Sequence, residues 1–232
     1  MECIVLAGGL GTRLQGVIGS VPKCMAPLNN KPFLHYVFQY LQEQQVNKVI
    51  LSLGFKHGII TEWLASQQLP FSIDYVIETE PLGTGGGIGF AMTKATDENV
   101  AVINGDTIFK IELKNLLDFH LEKNAATTLA LKQMHQFDRY GVVHTDAEGC
   151  ITLFEEKRYY DEGWINGGVY IINKNQFLAK KLSEKYSFEK DYLEKFVSED
   201  KFFGFKSSGY FIDIGIPHDY DKAKEDFKTL FR

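Results

Sequence analysis

The opening segment LAGGLGTRLQGVIGSVPK, from Leu6 to Lys23, has the residue types of a phosphate-binding loop. Glycines after a strand let backbone N–H groups approach an anion, and successive N–H groups that point inward form a concavity for it. Two standard loops do not fit. A dinucleotide-binding GxGxxG would have Leu14 at its third glycine position, and a Walker A loop from Gly11 would lack its Lys and Ser/Thr, because Val17 and Ile18 stand there. The segment therefore predicts a phosphate loop of another kind.

Four polar clusters follow apolar runs that we predict to be strands. They are the opening loop with Arg13 and Lys23, ETEPLGTGGG from Glu78, NGD ending at Asp106, and FIDIG with Asp213. In open α/β sheets, ligands collect at the carboxyl ends of strands, so these clusters are expected to meet at one edge. Mg²⁺ binds oxygen ligands and needs only a few carboxylates beside substrate phosphates. One or two aspartates at that edge would be enough.

Short β-rich runs alternate with amphipathic segments through the first half of the chain. The predicted strands are ECIVLA, KVILSL, FSIDYVI and VAVIN, and the predicted helices cover residues 33–44, 59–67 and 88–94. Alternation at this spacing indicates βαβ crossovers. We therefore expect a largely parallel, Rossmann-like sheet.

The pattern changes from residue 126 onward. ATTLALKQM, YGVVHTD, a turn at 147–149, CITLFEE and GGVYIIN read as strands without long helices between them, which predicts antiparallel additions to the sheet. Helices are expected over 188–197 and 217–230, and the second begins with proline at a favoured first-turn position. No linker divides the chain, so we expect one domain over residues 1–232.

Composition excludes several classes of protein. The 232 residues carry a net charge of −5 and no long run of Lys or Arg, which argues against a nucleic-acid binder. The three cysteines, Cys3, Cys24 and Cys150, lack CxxC spacing, which argues against a disulfide framework and a zinc site. Neither an export signal nor an apolar run of roughly 18 residues is present, so we expect no membrane association. A reducing cytoplasm fits these features best.

The ordered set GGLGTRL, PK, ETEPLGTGGG, NGD, FEEK, INGGVY and FIDIG resembles the sugar-1-phosphate nucleotidyltransferases, which make NDP-sugars. The resemblance covers nearly the whole chain. FDRYG, FEEK, INGGVY and FIDIGIPHDY are most similar to the branch that uses GTP and D-glycero-α-D-manno-heptose 1-phosphate. The fold implied is α/β: a Rossmann-like mixed β-sheet flanked by helices, of the nucleotidyltransferase or GT-A-like kind, without a left-handed β-helix tail.

The resemblance also implies roles for residues of the first half, about 1–125. A sugar phosphate would attack the α-phosphorus of an NTP in line and expel pyrophosphate, with Arg13, Lys23 and Asp106 as catalytic residues. Mg²⁺ would be held by Asp106 and Asp213. The implied nucleotide-binding residues are Leu6, Ala7, Gly8, Gly9, Gly11, Thr12, Arg13, Glu78, Gly83 and Thr84. This sequence has Cys24 where the family's PKPM pattern has proline.

The second half, about 126–232, is implied to bind the sugar phosphate. The residues carried over are Tyr140, Gly141, Glu156, Lys157, Asn166 and Gly167. Whether Glu155 or Glu156 faces the ligand depends on strand register, which the sequence leaves open. On the nucleotide side, a carboxylate at Glu78 can accept both N1–H and N2–H₂ of guanine, whereas uracil presents one N–H between two carbonyl oxygens. We therefore expect GTP to be the preferred NTP.

Other functions stay open at this stage. The same chemistry could serve mannose 1-phosphate with GTP or N-acetylmuramate 1-phosphate with UTP. A glycosyltransferase of similar fold would consume NDP-sugars, but the triphosphate-type loop argues against it. A catalytically inactive regulatory subunit would not need Arg13, Lys23, Asp106 and Asp213. The expected partners are thus an NTP and a sugar 1-phosphate, with a homo-oligomer left open.

Overall fold

A computed structural model describes residues 1–9 and 14–231 of the chain. Its strands are β1 (Glu2–Leu6), β2 (Pro27–Leu28), β3 (Lys31–Pro32), β4 (Lys48–Leu53), β5 (Ser72–Ile77), β6 (Asn99–Asn104), β7 (Thr107–Phe109), β8 (Thr127–Phe137), β9 (Val143–Thr145), β10 (Ile151–Phe154), β11 (Tyr160–Asn173), β12 (Phe202–Ser207) and β13 (Phe211–Asp213). Its α-helices are α1 (Gln15–Ile18), α2 (Phe33–Glu43), α3 (His57–Ala65), α4 (Gly83–Met92), α5 (Leu113–Glu122), α6 (Lys174–Ala179) and α7 (Pro217–Leu230). A 3₁₀ turn covers Lys23–Met25 and a π-helix covers Phe188–Glu194.

Seven strands form one mixed sheet in the order β12–β8–β11–β6–β1–β4–β5. β1 pairs in parallel with both β4 and β6, and β4 pairs in parallel with β5. β11 then lies antiparallel to β6 and to β8, and β12 joins β8 in parallel. The prediction of a parallel first half with antiparallel additions is confirmed. The pairing of β6 with β11 joins the two halves of the chain in one sheet.

Alternate residues of the central strands face two different apolar layers. Cys3 and Val5 of β1 pack with buried residues of α2, α5 and α7, whereas Ile4 packs with buried residues of α4, α6 and the π-helix. A sheet covered by helices on both faces needs apolar side chains at nearly every strand position. This is why β1, β4 and β6 read as continuous apolar runs rather than alternating ones.

Three two-stranded sheets lie beside the main one: β2 with β3, β9 with β10, and β7 with β13. The β7–β13 pair matters most for the site. It is antiparallel and sets Asp213 opposite Thr107. β13 comes late in the chain, and this pairing brings it to the carboxyl end of β6.

The structure differs from the sequence predictions at several elements. α5, α6, β7 and β12 were not predicted, and α4 begins five residues before the expected start, at Gly83. Glycine is a poor helix former, but tertiary packing overrides propensity here. A Cβ added at Gly85 would lie 2.2 Å from the Tyr186 ring, and one at Gly86 would lie 2.2 Å from the Glu184 carbonyl oxygen. The glycine run therefore lets α4 approach the segment before the π-helix.

The described residues contain no left-handed β-helix. Among the same residues, no helix combines the length and apolar character that crossing a bilayer requires.

Candidate active site

Two aspartates meet at the carboxyl edge of the sheet. Asp106 lies in the turn between β6 and β7, and Asp213 ends β13, directly opposite Thr107. The backbone N–H of Ile214 donates to the Asp106 carbonyl oxygen at 3.1 Å, which fastens the two segments together. The small β7–β13 sheet is thus the element that brings these two carboxylates into one site.

Lys23 bridges the two carboxylates. Its Nζ lies 2.5 Å from Asp106 Oδ2 and 3.2 Å from Asp213 Oδ1, and its side chain is only 11% exposed. The 3₁₀ turn that carries it follows Pro22, which has extended backbone angles. Cys24, which stands where the family pattern has proline, is buried in this turn with its Sγ 4.0 Å from the Ala7 carbonyl oxygen. Burial raises the pKa of the Cys24 thiol to about 12, so it is not a nucleophile at neutral pH.

Asp213 receives donors on both oxygens. Oδ1 accepts from Lys23 and, at 2.8 Å, from the backbone N–H of Gly215. Oδ2 lies 3.3 Å from Arg139 Nη2 and 3.2 Å from the Tyr140 hydroxyl. Burial and the negative charge of Asp213 raise the pKa of Tyr140, so its hydroxyl stays protonated and acts as a donor. Asp213 is therefore the more constrained of the two aspartates.

The aspartate pair fits a magnesium site of the kind that uses few protein ligands. Among residues 1–9 and 14–231, no three His, Cys, Asp or Glu side chains cluster as a complete metal cage. Mg²⁺ does not need one, because it keeps waters and takes phosphate oxygens as ligands. Asp106 is one-third exposed, and within the described part of the chain its Oδ1 accepts only from Thr107, at 3.2 Å. Among the described residues, lone pairs on Asp106 therefore remain unpaired.

The predicted nucleotide residues lie only partly within the described structure. Gly11, Thr12 and Arg13 lie outside the described residues. Leu6 ends β1, Ala7 continues it by donating its N–H to the Ser52 carbonyl oxygen at 2.9 Å, and Gly8 and Gly9 follow. The predicted backbone contacts of this loop with phosphates stay a prediction.

Glu78 lies against the start of the opening loop. A Cβ added at Gly8 would lie 3.1 Å from Glu78 Oε1, so only glycine fits there without displacing the carboxylate. Oε1 also accepts from the Ser52 hydroxyl at 2.9 Å, and Oε2 accepts from the Leu82 N–H at 3.1 Å. Each carboxylate oxygen has two lone pairs, so among the described residues each retains one for a ligand donor.

Gly83 and Thr84 make contacts within the protein. Gly83 has φ +75°, and a Cβ there would lie 2.5 Å from the Tyr186 carbonyl oxygen. The Thr84 hydroxyl donates to Glu189 at 2.8 Å and accepts from the Phe188 N–H at 2.9 Å. These two residues join α4 to the start of the π-helix, and their predicted contacts with a nucleotide are not tested by this geometry.

All six residues predicted to bind the sugar phosphate line one polar cleft of about 400 Å³ that also includes Asp213. They are Tyr140, Gly141, Glu156, Lys157, Asn166 and Gly167. Asn104 lines the same cleft at the end of β6. The tertiary structure thus gathers FDRYG, FEEK, INGGVY, NGD and FIDIG around one space.

Glu155 and Glu156 differ in how the protein uses them. The Glu155 carboxylate contacts His144 Nε2 at 2.6 Å, Arg158 at 2.7 Å and the Tyr160 hydroxyl at 2.8 Å. Hydrogen bonds from Tyr160, Arg158 and His144 lower the pKa of Glu155 to about 2. Glu156 is exposed in the cleft, and within the described part of the chain its carboxylate makes no hydrogen bond.

Asn166 supports the cleft wall from within. Its Nδ2 donates to the Tyr170 hydroxyl at 2.9 Å, and its Oδ1 accepts from the Gly168 N–H at 3.0 Å. These contacts hold the break in register of β11 between Asn166 and Tyr170. A Cβ at Gly167 would lie 2.4 Å from the Phe109 ring, so the bulge packs directly on β7.

Sequence reasoning missed one wall of the cleft. Ser187, Glu189, Lys190, Leu193 and Glu194 line it from the π-helix and the residue before it. A helix was predicted over 188–197, but its charged residues were given no role. The wide π turn depends on contacts such as that of Thr84 with Glu189, and no local pattern indicates it.

An α/β sheet with a glycine loop, a lysine between two aspartates and a polar cleft at its carboxyl edge defines an enzyme that acts on phosphorylated ligands. Residues 2–229 match the family model described as nucleotidyl transferase. The chain belongs to the nucleotidyl transferase family.

Two relatives share the length of the chain. It is 52% identical to D-glycero-alpha-D-manno-heptose 1-phosphate guanylyltransferase of Aneurinibacillus thermoaerophilus, over 98% of this chain and 99% of the relative. It is 44% identical to the protein of that name from Campylobacter jejuni, over 95% and 97%. Among solved structures, HddC from Yersinia pseudotuberculosis superposes with a TM-score of 0.88 at 38% identity, over 97% of this chain and 99% of that one. The same protein complexed with GMP-PN superposes with a TM-score of 0.87.

Proposed function

We propose that the chain transfers a guanylyl group from GTP to D-glycero-α-D-manno-heptose 1-phosphate and releases pyrophosphate. The observation that carries the proposed chemistry is the meeting of Lys23, Asp106 and Asp213 beside the polar cleft. The names of the relatives from A. thermoaerophilus and C. jejuni support the choice of substrates, because both cover nearly all of this chain. The HddC structure with GMP-PN supports a guanine nucleotide.

In the proposed reaction, a phosphate oxygen of the sugar 1-phosphate attacks the α-phosphorus of GTP. A new P–O bond forms there as the bond to the β-phosphate oxygen breaks, and pyrophosphate leaves with the electron pair. Lys23 would leave the aspartates to hold the α-phosphate and the incoming phosphate together. Arg13 would stabilise charge on the departing phosphates. A positioned cation of this kind contributes chiefly where negative charge develops in the transition state.

Asp106 and Asp213 would hold a divalent cation, Mg²⁺. When bound, it would neutralise negative charge on the triphosphate. Asp106 has open lone pairs for this role, whereas Asp213 would have to exchange one of its present donors. Lys23 is the donor that would be exchanged. If its side chain moved to the α-phosphate, one lone pair would become free on each carboxylate.

Glu78 would recognise the guanine base. Ser52 and Leu82 hold its carboxylate in a fixed orientation, which leaves one lone pair on each oxygen for N1–H and N2–H₂. A fixed acceptor pair discriminates strongly, because a base without matching donors leaves it unpaired.

In the cleft, Glu156 would accept sugar hydroxyls, because its carboxylate is exposed there whereas that of Glu155 is held by three protein donors. Lys157 would contact the sugar phosphate, and Asn166 with the Gly167 backbone would contact further hydroxyls. A cytoplasmic location and one domain over residues 1–232 stay predictions.

The test is a substrate matrix read by pyrophosphate release. GTP, UTP, CTP, ATP and dTTP are each combined with heptose, mannose and N-acetylmuramate 1-phosphates in the presence of MgCl₂. We expect the largest kcat/KM for GTP with the heptose 1-phosphate. Preference for mannose 1-phosphate or for UTP would overturn the substrate assignment and leave the transfer chemistry standing. No pyrophosphate release in any combination would overturn the chemistry.

A further inference from the structure

Arg139 lies behind Asp213, and its guanidinium group contacts two acidic residues, Asp213 and Asp219. Its Nη2 lies 3.3 Å from Asp213 Oδ2, and its Nη1 donates to Asp219 Oδ2. Asp219 belongs to the first turn of α7, so the fork ties the end of β8 to the end of β13 and to that helix. FDRYG and FIDIGIPHDY therefore meet at one guanidinium group, a contact to which the transfer chemistry assigns no role.

The guanidinium is itself held in place. Its side chain is 26% exposed, and its Cζ lies 5.3 Å from the centre of the Tyr140 ring. Burial lowers the pKa of Arg139, but the hydrogen bond that Arg139 donates to Asp219 and the negative charges around it outweigh this effect and raise the pKa, so the group stays charged. Arginine suits this place because its planar guanidinium presents separate Nη donors in fixed directions, one toward each carboxylate, whereas lysine offers a single Nζ.

Arg139 does not line the 400 Å³ cleft, whereas Asp213 does. It lies with Asp213 and Asp219 in an adjoining cavity of about 340 Å³. Arg139 thus contacts the cleft through residues that line it, Asp213 and Tyr140.

The orientation of the Asp213 carboxylate depends on its hydrogen bonds. The terminal torsion of aspartate is broad and two-fold, so packing alone does not define it. Gly215 and Lys23 hold Oδ1, and Arg139 and Tyr140 hold Oδ2. Loss of Arg139 would leave Oδ2 with one neutral donor and would leave Asp219 without its ionic partner there.

We propose that Arg139, held by Asp219, is a positioning residue that sets the orientation of Asp213 toward Lys23 and Asp106. The kinetic consequences rest on the proposed function, whereas the structural ones do not. Residues that orient a carboxylate from behind change activity by 10–100-fold in comparable sites. A fall of about that size in kcat is expected for Arg139→Gln, with the KM for GTP changed by no more than about threefold.

The variant Arg139→Lys tests whether the effect of Arg139 on kcat comes from its positive charge or from the geometry of its guanidinium group. It keeps a cation but replaces the fixed fork of Nη donors by a single Nζ, so we expect it to recover less than half of the loss in kcat on a logarithmic scale. Full recovery would overturn the positioning role and leave only a charge effect. Asp219→Asn should lower kcat in the same direction with a smaller factor, because Asn still accepts one hydrogen bond from Nη1.

A double-mutant cycle tests whether Arg139 acts through Asp213. In an Asp213→Asn background, Arg139→Gln should lower kcat by less than about threefold further, since coupled residues are not additive. The full 10–100-fold effect in that background would overturn the proposal. Lys180→Gln is the matched control, because Lys180 and Asp200 form an ion pair of similar burial whose members do not line the cleft. It should leave kcat unchanged.

A crystal structure of Arg139→Gln gives a readout that needs no substrate. The expected result is a rotated Asp213 carboxylate that has lost Lys23, with the contact of Lys23 to Asp106 kept. An Asp213 carboxylate in its present orientation would overturn the proposal even if kcat had fallen. This measurement is informative even if the wild-type protein proves inactive with heptose 1-phosphate. Failure of the proposed function can therefore be distinguished from failure of the positioning role of Arg139.

Discussion

Replacing Lys23 by Met keeps an unbranched side chain of similar reach and removes the charge between Asp106 and Asp213. Both carboxylates now contact one Nζ, at 2.5 and 3.2 Å, so the contacting oxygens lie at most roughly 6 Å apart. In Lys23→Met these two negative charges would face each other without the cation that bridges them, and among the described residues only Asp213 would keep a cationic partner, Arg139. The substitution is therefore expected to affect both the stability of the free protein and turnover.

The magnitude follows from the geometry. Two unit charges roughly 6 Å apart repel by about 3 kcal/mol at an effective dielectric constant near 20. Asp106 is one-third exposed, so solvent screening reduces this to about 1–2 kcal/mol of unfolding free energy. For turnover, loss of a charge-stabilising group in a closed site should lower kcat about a hundredfold or more, which corresponds to about 2.7 kcal/mol in the transition state.

Urea unfolding with and without MgCl₂ measures the first effect, and pyrophosphate release measures the second. Lys23→Met should gain more stability from MgCl₂ than the wild type does, because its aspartate pair lacks the cation that bridges the two carboxylates. Lys48→Met is the matched control. Lys48 pairs with buried Glu2 at 3.4 Å at the opposite end of the sheet, so this variant should lose stability without a selective response to MgCl₂. Unchanged stability together with a change in KM alone would refute the reasoning for Lys23.

Four further outcomes are expected. Asp106→Ala should abolish pyrophosphate release while circular dichroism stays native, and retained turnover would remove Asp106 from the site. Glu156→Gln should raise the KM for the sugar phosphate about tenfold or more, whereas Glu155→Gln should mainly lower the temperature of unfolding. Equal, small changes in KM for the two variants would mean that both glutamates are solvated surface groups. Because the pKa of Glu155 is lowered from 4.5 to about 2, its hydrogen bonds should persist above pH 4.5 and be lost as the pH falls through about 2, as an NMR titration of its carboxyl carbon would show. Glu78→Gln can still accept from Leu82 and donate to Ser52, so it should fold normally and lose much of the preference for GTP over UTP; an unchanged GTP/UTP ratio of kcat/KM would remove Glu78 from base recognition.

Much of the framework was readable from local pattern. β4 has the predicted boundaries, α7 begins at Pro217 and ends at Leu230 as predicted, and the turn at 147–149 is present with Gly149 at φ +87°. These elements depend on apolar periodicity, proline placement and glycine conformations, which are properties of a short stretch of chain. The ordered motifs likewise predicted the family, and the match over residues 2–229 confirms it.

Other features depended on residues far apart in the chain. Gly83 and Thr84 stay predicted nucleotide contacts, whereas the packing of the next glycines, Gly85 and Gly86, against Tyr186 and Glu184 was not predicted. The choice between Glu155 and Glu156 needed the positions of His144, Arg158 and Tyr160. Neither could be read from spacing, because a motif specifies residue types in order but not the direction of each side chain.

The sequence by itself determined the class of chemistry: a glycine loop, a lysine and two aspartates after apolar strands indicate an enzyme that binds phosphates. Only the tertiary structure decided how they are joined. Lys23 reaches Asp213 across 190 positions of sequence, and it does so because β13 pairs with β7 beside Asp106. Arg139 gained its place behind Asp213 in the same way, through the approach of β8 to α7. Local sequence determines backbone preference over a few residues, whereas these contacts depend on strand pairing and packing between distant segments, which only the folded chain brings about.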